Sequence, residues 1–139
     1  FFLTERRADG SFLVDGISTD GGGLPRNVIL EDGLSFVRLG EISAIDFARK
    51  TSLLPARMLG LSNKGSLEAG ADADLTIYDP IAQRAVHAFA MGREILRNGE
   101  PVGSGATVIC TQAGREAVAR AGLSFYEAKG GFRSLDRLA

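Results

Sequence analysis

Val14-Asp15-Gly16-Ile17-Ser18-Thr19-Asp20-Gly21-Gly22-Gly23 is the stretch on which the fold of this chain turns. Residues 12–18 read as a short strand that stops just before Asp20. Three glycines then strip the next turn of side chains, which presents one carboxylate at a strand's C-terminal end with open space around it. Catalytic groups of α/β barrels sit at such strand ends. Asp-Gly is also a common turn pair, so an aspartate that merely caps a turn is the competing reading. Glycine lets a ligand approach the backbone closely, which makes Gly21, Gly22 and Gly23 candidates for lining a substrate site. The run has neither the Lys-Ser/Thr of a phosphate-binding loop nor the spacing of a dinucleotide fingerprint.

Working outward, residues 21–26 read as a loop broken by glycines and Pro25. Residues 27–39 carry Val28, Ile29, Leu30, Leu34, Phe36 and Val37 and predict a partly helical segment, weakened by Gly33. Ser43 with Asp46 three residues on is a capping signal, and Ile45, Phe47 and Ala48 are expected to share a core-facing stripe. Pro55 marks a fresh helix start and Gly60 its stop. Beyond residue 62 the texture changes to short strands between turns. Residues 66–68, 73–78, 84–90 and 94–97 read as strands, with turns at 69–72, at Met91-Gly92-Arg93 and at Asn98-Gly99. Such a series suits a small antiparallel sheet or sandwich. Residues 106–110 form another strand. A helix from about Thr111 closes at Gly122, and residues 124–139 show no period.

Three segments in this order resemble the C-terminal third of the amidohydrolase superfamily of metal-dependent hydrolases. The first is Ile17-Ser18-Thr19-Asp20-Gly21-Gly22. The second is Pro55-Ala56-Arg57-Met58-Leu59-Gly60-Leu61. The third and most specific is Lys64-Gly65-Ser66-Leu67-Glu68-Ala69-Gly70-Ala71-Asp72-Ala73-Asp74-Leu75-Thr76-Ile77-Tyr78-Asp79. The resemblance covers roughly residues 12–100. It implies α/β plus all-β architecture: the last strand/helix unit of a (β/α)8 barrel (1–62), a small composite β-sandwich (63–103) and a strand-helix extension (104–139). It also implies hydrolysis of a C–N bond, in an amide, a cyclic amide or a deamination, by metal-activated water. Asp20 would be both a metal ligand and the catalytic proton acceptor, and the ion would be divalent, with zinc expected. The family's histidine ligands have no counterpart here, so the remaining ligands belong to an upstream part of the same polypeptide. The chain alone is expected to be inactive.

Bulk properties bound the alternatives. With 139 residues the chain is enough for one modest domain, and it opens on Phe rather than Met inside an apolar segment, which reads as a piece of something longer. A net charge of -1 gives no pull toward nucleic acid, and no apolar run approaches a membrane span. One cysteine, Cys110, excludes an intrachain disulfide and fits a reducing, cytoplasmic setting. Cys110 reads as a small buried residue, and His87, the single histidine, as structural or exposed. Arg26 is a weak candidate for an anionic substrate group. Asp72, Asp74 and Asp79 are better explained by turn chemistry than by calcium. The partners expected are a small-molecule substrate, the upstream half and further copies of the chain, because a lone fragment leaves strand edges and apolar surface open. A stand-alone structural or small-ligand-binding module is the alternative.

Overall fold

The computed structural model describes residues 3–18, 28–104 and 107–128. The first helix, α1, spans Ile29–Arg38. Glu31 and Asp32 lie in its first turn and Arg38 in its last, matching the helix dipole at both ends. It closes on Gly40 (φ +75°), with the Gly40 and Glu41 N–H groups bonded to Val37 and Phe36 carbonyls at 3.1 Å each. The core is built on Leu34, Ile42 and Phe47, with Leu3, Phe12, Ile17, Ile29, Leu30, Phe36, Val37 and Tyr78 packed around it.

The next helix is one continuous rod with a defect. Ser43 caps it, accepting from the Asp46 N–H at 3.0 Å and donating to Asp46 Oδ2 at 2.8 Å. α2 (Ala44–Ala48) runs into a π-helical turn (Arg49–Leu53) and then α3 (Leu54–Met58). Pro55 therefore does not start a new helix. It lies just past a widened turn in which the Leu54 N–H reaches back to the Arg49 carbonyl. The widening relieves the clash that a proline ring makes with the preceding turn. The expected stripe of Ile45, Phe47 and Ala48 is also corrected. Phe47 is buried, whereas Ile45 is 72% exposed and Ala48 is exposed. Residues 45 and 48 share one side of a 3.6-residue helix and residue 47 lies on another, so only Phe47 turns inward. Gly60 does end the rod, at φ +70°, with Leu61 N–H to Ala56 O at 2.9 Å.

Residues 66–68 are not a strand. Residues 61–74 form a connecting segment, and Lys64 holds both Asp72 (2.8 Å) and Asp74 (2.6 Å). Asp74 Oδ1 also accepts the Met91 N–H at 2.7 Å, and the Ala73 carbonyl accepts the Gly92 N–H at 3.0 Å. Asp74 thus ties the Met91-Gly92 turn to Lys64, while Asp72 accepts from Asn63 Nδ2 at 3.1 Å within the connecting segment. Asp79 Oδ1 accepts from the Ile81 and Ala82 N–H groups, as a turn aspartate does. An antiparallel meander follows in the order β1 (Leu75–Asp79), β2 (Arg84–Ala90), β3 (Arg93–Arg97), β4 (Glu100–Pro101). Its tight turns at Met91-Gly92 and Asn98-Gly99 have left-handed backbone at all four residues, the geometry that matches strand twist. Tyr78 packs on the helical core and Gln83 Nε2 donates to Ser35 Oγ at 2.8 Å, joining sheet to helices.

The C-terminal unit holds one strand more than expected. β5 (Thr107–Cys110) leads through a 3-10 turn (Gln112–Gly114) into α4 (Arg115–Arg120) and then β6 (Ser124–Glu127), which pairs with β5 in parallel. Four residues after a glycine stop are too few to show a period, and it is the pairing with β5 that makes them a strand.

Candidate functional site

Residues 12–18 do not form a ladder strand. Phe12 makes an isolated bridge to Arg6, and the segment otherwise alternates in burial, with Phe12, Val14 and Gly16 inward and Leu13 and Asp15 outward. It has the alternation of a strand without a strand neighbour, because the elements beside it among the described residues are helical. Its hydrogen bonds go elsewhere. The Arg7 guanidinium donates to the Phe12 and Leu13 carbonyls, and the Leu13 N–H to Glu5 O at 2.9 Å. Asp9 closes the preceding turn on the Ser11 hydroxyl and N–H, and these bonds hold its carboxyl below the usual range.

Further along, the segment is held by Lys50. The Ile17 N–H donates to the Lys50 carbonyl at 3.2 Å, and the Lys50 ammonium donates to the Val14 carbonyl. Lys50 is only 2% exposed, and its ammonium lies 4.1 Å from the centre of the Phe12 ring. Burial lowers its pKa; Asp15 and Asp46 oppose that, while Arg6 and Arg7 add to it. Sequence reasoning did not single Lys50 out. The available signal was its place three residues after Phe47, on the inward face of the helix, where a lysine is out of keeping.

Where the chain leaves the described residues at Ser18 and returns at Val28, a hollow of about 200 Å³ is lined by Leu3, Ile17, Ser18, Val28, Ile29, Asp32, Gly33 and Phe36. Asp20, Gly21, Gly22, Gly23 and Arg26 lie outside the described residues. His87 stands on β2 with Nδ1 3.2 Å from Glu94 Oε1, and Glu94 is also bonded to Arg97, which first among its neighbours holds its carboxyl low. Cys110 ends β5 half-buried, less enclosed than expected. Among the described residues, no group of three or more His, Cys, Asp or Glu side chains could hold a metal ion.

The family model described as "Amidohydrolase family" matches residues 6–115. The chain belongs to the amidohydrolase family. The matched span takes in residues 12–18, the π-turned helix, the Lys64 clamp and the meander. One subunit of the formyltransferase/hydrolase complex Fhc of Methylorubrum extorquens is 32% identical over 75 residues, 54% of this amidohydrolase chain and 14% of that protein. A dihydroorotase of Pelotomaculum thermopropionicum is 50% identical over 44 residues, 32% of this chain and 10% of that one. The solved formyltransferase/hydrolase complex FhcABCD of Methylorubrum extorquens, in complex with methylofuran, aligns over 66% of this chain and 22% of that chain, at 27% identity and a TM-score of 0.43. The chain therefore spans a small part of the length of the relatives it matches. No helix among the described residues is long and apolar enough to cross a membrane.

Proposed function

We propose that this chain is the C-terminal part of an amidohydrolase that hydrolyses a C–N bond in an amide, a cyclic amide or an amino-substituted ring, with Asp20 as its contribution to the catalytic centre. The observation that carries the reading is the family match over residues 6–115, a span that includes the Asp20-Gly-Gly-Gly run. The likeness to a dihydroorotase supports a hydrolase of cyclic amides among the candidates.

The organisation proposed is barrel end (1–62), composite sandwich (63–103) and extension (104–139). The four-stranded meander would be one layer of that sandwich, and the upstream polypeptide would supply its cover. Leu75 and Ile77, 37% and 45% exposed on one side of β1, are consistent with a face that awaits one.

A divalent metal, zinc in the first instance, is part of this proposal. A bound divalent ion brings water to ionisation near neutral pH. The described residues do not make such a centre by themselves, since catalytic zinc takes about three protein ligands. The proposal therefore gives this chain one donor, Asp20, and no further step is assigned through the ion. Gly21, Gly22 and Gly23 would leave room for a substrate beside that carboxylate.

The test is metal content and amide hydrolysis, measured for the 139 residues alone and together with the upstream polypeptide. Activity and bound metal only in combination, lost on Asp20→Ala, are expected. Robust hydrolysis by the chain alone, or an active Asp20→Ala variant, would overturn the reading.

A further inference from the structure

None of the described residues 107–128 is buried. β5 and β6 pair in parallel with α4 packed on one side of the ladder, where the Arg115 guanidinium lies 5.9 Å from the centre of the Phe125 ring and 3.7 Å from Glu127. Parallel sheets are normally enclosed, and two strands by themselves are marginal in water. This unit also leaves main-chain groups without a partner on the outer side of β5. The Ala128 N–H donates to the Cys110 carbonyl at 2.9 Å, so Cys110 faces β6. Main-chain groups alternate sides along a strand, and those of Thr107 and Ile109 therefore turn away from β6 to the open edge. The Ile109 side chain is 47% exposed.

The described strands differ in how they guard an edge. β1, β2, β3, β4 and β6 each carry a charged residue, and β4 also carries Pro101. β5, Thr-Val-Ile-Cys, carries neither a charge nor a proline. Charges and prolines are what keep edge strands from pairing with another chain. Thr111 continues β5 with extended backbone, which makes the run Thr107-Val108-Ile109-Cys110-Thr111. The run has nearly the same chemistry in both directions. A two-fold axis at Ile109 sets Ile109 against its own copy, Thr107 against Thr111 and Val108 against Cys110. Each residue meets one of its own kind and no charge meets its own copy, as a self-complementary contact requires. Cross-strand threonine pairs add to such a ladder. We propose that β5 is a self-association edge, where a second copy of this chain pairs antiparallel about Ile109 to give a sheet in the order β6-β5-β5-β6. So few residues a side make a small contact, and the pairing is expected to be reversible. The inference does not depend on the reading of Asp20.

Register-specific cross-linking of the complete polypeptide tests it. Val108 and the Cys110 of the second copy fall between hydrogen-bonded rungs, with Cα atoms about 4.5 Å apart, a separation that a disulfide spans. A Val108→Cys/Cys110→Ser chain mixed with the wild-type chain under mild oxidation should give a covalent dimer joined through residues 108 and 110, identified by peptide mass. Neither chain alone should give a dimer joined at these positions. Ile109→Lys puts two ammonium groups at the axis. Introduced into both chains, it should abolish the cross-link and leave the melting temperature unchanged, because position 109 is half-exposed. Absence of the 108–110 dimer overturns the inference. So does an equal yield from Gln112→Cys/Cys110→Ser, which lies out of register, or an undiminished yield with Ile109→Lys. An Ile109 amide protected from exchange in a polypeptide that sediments as a monomer at every concentration also overturns it, and gives the edge to a preceding part of the same polypeptide.

Discussion

Gly33 and Phe47 occupy adjoining space with nothing to spare: a Cβ built on Gly33 would lie 2.1 Å from Phe47 Cε2. A glycine in the middle of α1 costs helix stability, and this contact is the reason it is there. The phenyl ring lies against the bare helix backbone and closes the core formed with Leu34 and Ile42.

Gly33→Ala sets two effects against each other. Helix propensity alone favours alanine by about 1 kcal/mol. Overpacking a tight contact costs about 1–3 kcal/mol, and an overlap this deep lies at the upper end. The variant should lose stability, seen as a lower urea midpoint. In a Phe47→Leu background the same change should cost clearly less. A stabilising Gly33→Ala would show that the ring does not sit where described.

Gly65 and Gly99 separate steric from conformational cost. Both have left-handed backbone, at φ +81° and +83°. A Cβ at Gly99 meets nothing nearer than 3.9 Å, so Gly99→Ala should cost only the backbone penalty of about 1–2 kcal/mol. A Cβ at Gly65 would lie 2.6 Å from the Ser52 carbonyl and 2.9 Å from Leu53 Cα, both main chain of the π-helical turn. Gly65→Ala should therefore be the more damaging of the two by denaturant titration, and equal losses would count against the docking of this loop on the helix.

The Lys64 clamp predicts a pH signature. Burial alone would raise the Asp74 pKa, but the Lys64 ammonium and the Met91 N–H outweigh it and hold the carboxyl below its ordinary value. Burial likewise opposes the Lys64 charge, and hydrogen bonds to Asp72 and Asp74 overcome it, so Lys64 is raised. A depressed carboxyl stabilises the fold above roughly pH 4 and loses that contribution as pH falls through the lower folded value. A raised lysine loses its contribution only as pH climbs beyond roughly 10.4. Because Asp74 is part-exposed, the effect should be about 1 kcal/mol or less. The stability gap between wild type and Asp74→Asn should be flat from about pH 5 to 9 and shrink in acid. A gap that widens toward low pH would contradict the clamp.

Leu75 and Ile77 predict how the isolated chain behaves. With this side of β1 open, sedimentation of the 139 residues should show association, and Ile77→Lys should shift it toward monomer. A wild-type chain that sediments as a stable monomer and unfolds cooperatively would argue that the face needs no cover.

Local chemistry was readable from the sequence wherever a short stretch decides its own shape. The Ser43 cap, the glycine stops at Gly60 and Gly122, the turns at Met91-Gly92 and Asn98-Gly99, and strands β1 to β3 of the meander depend on neighbours within a few residues. The family resemblance was legible for the same reason, since its turn glycines and aspartates stand at set intervals. Interactions between distant segments decided the rest. Residues 12–18 have the composition of a strand, but a ladder needs a partner that sequence cannot supply, and here their hydrogen bonds go to Lys50 and Arg7. Residues 124–127 became a strand because β5 lay beside them. Lys50 was not singled out in the sequence, and it is the fold that carries it against the Phe12 ring, 38 positions earlier in the chain. Periodicity and capping act over one or two turns, whereas burial and the partner a carbonyl finds depend on which remote backbone arrives next to it.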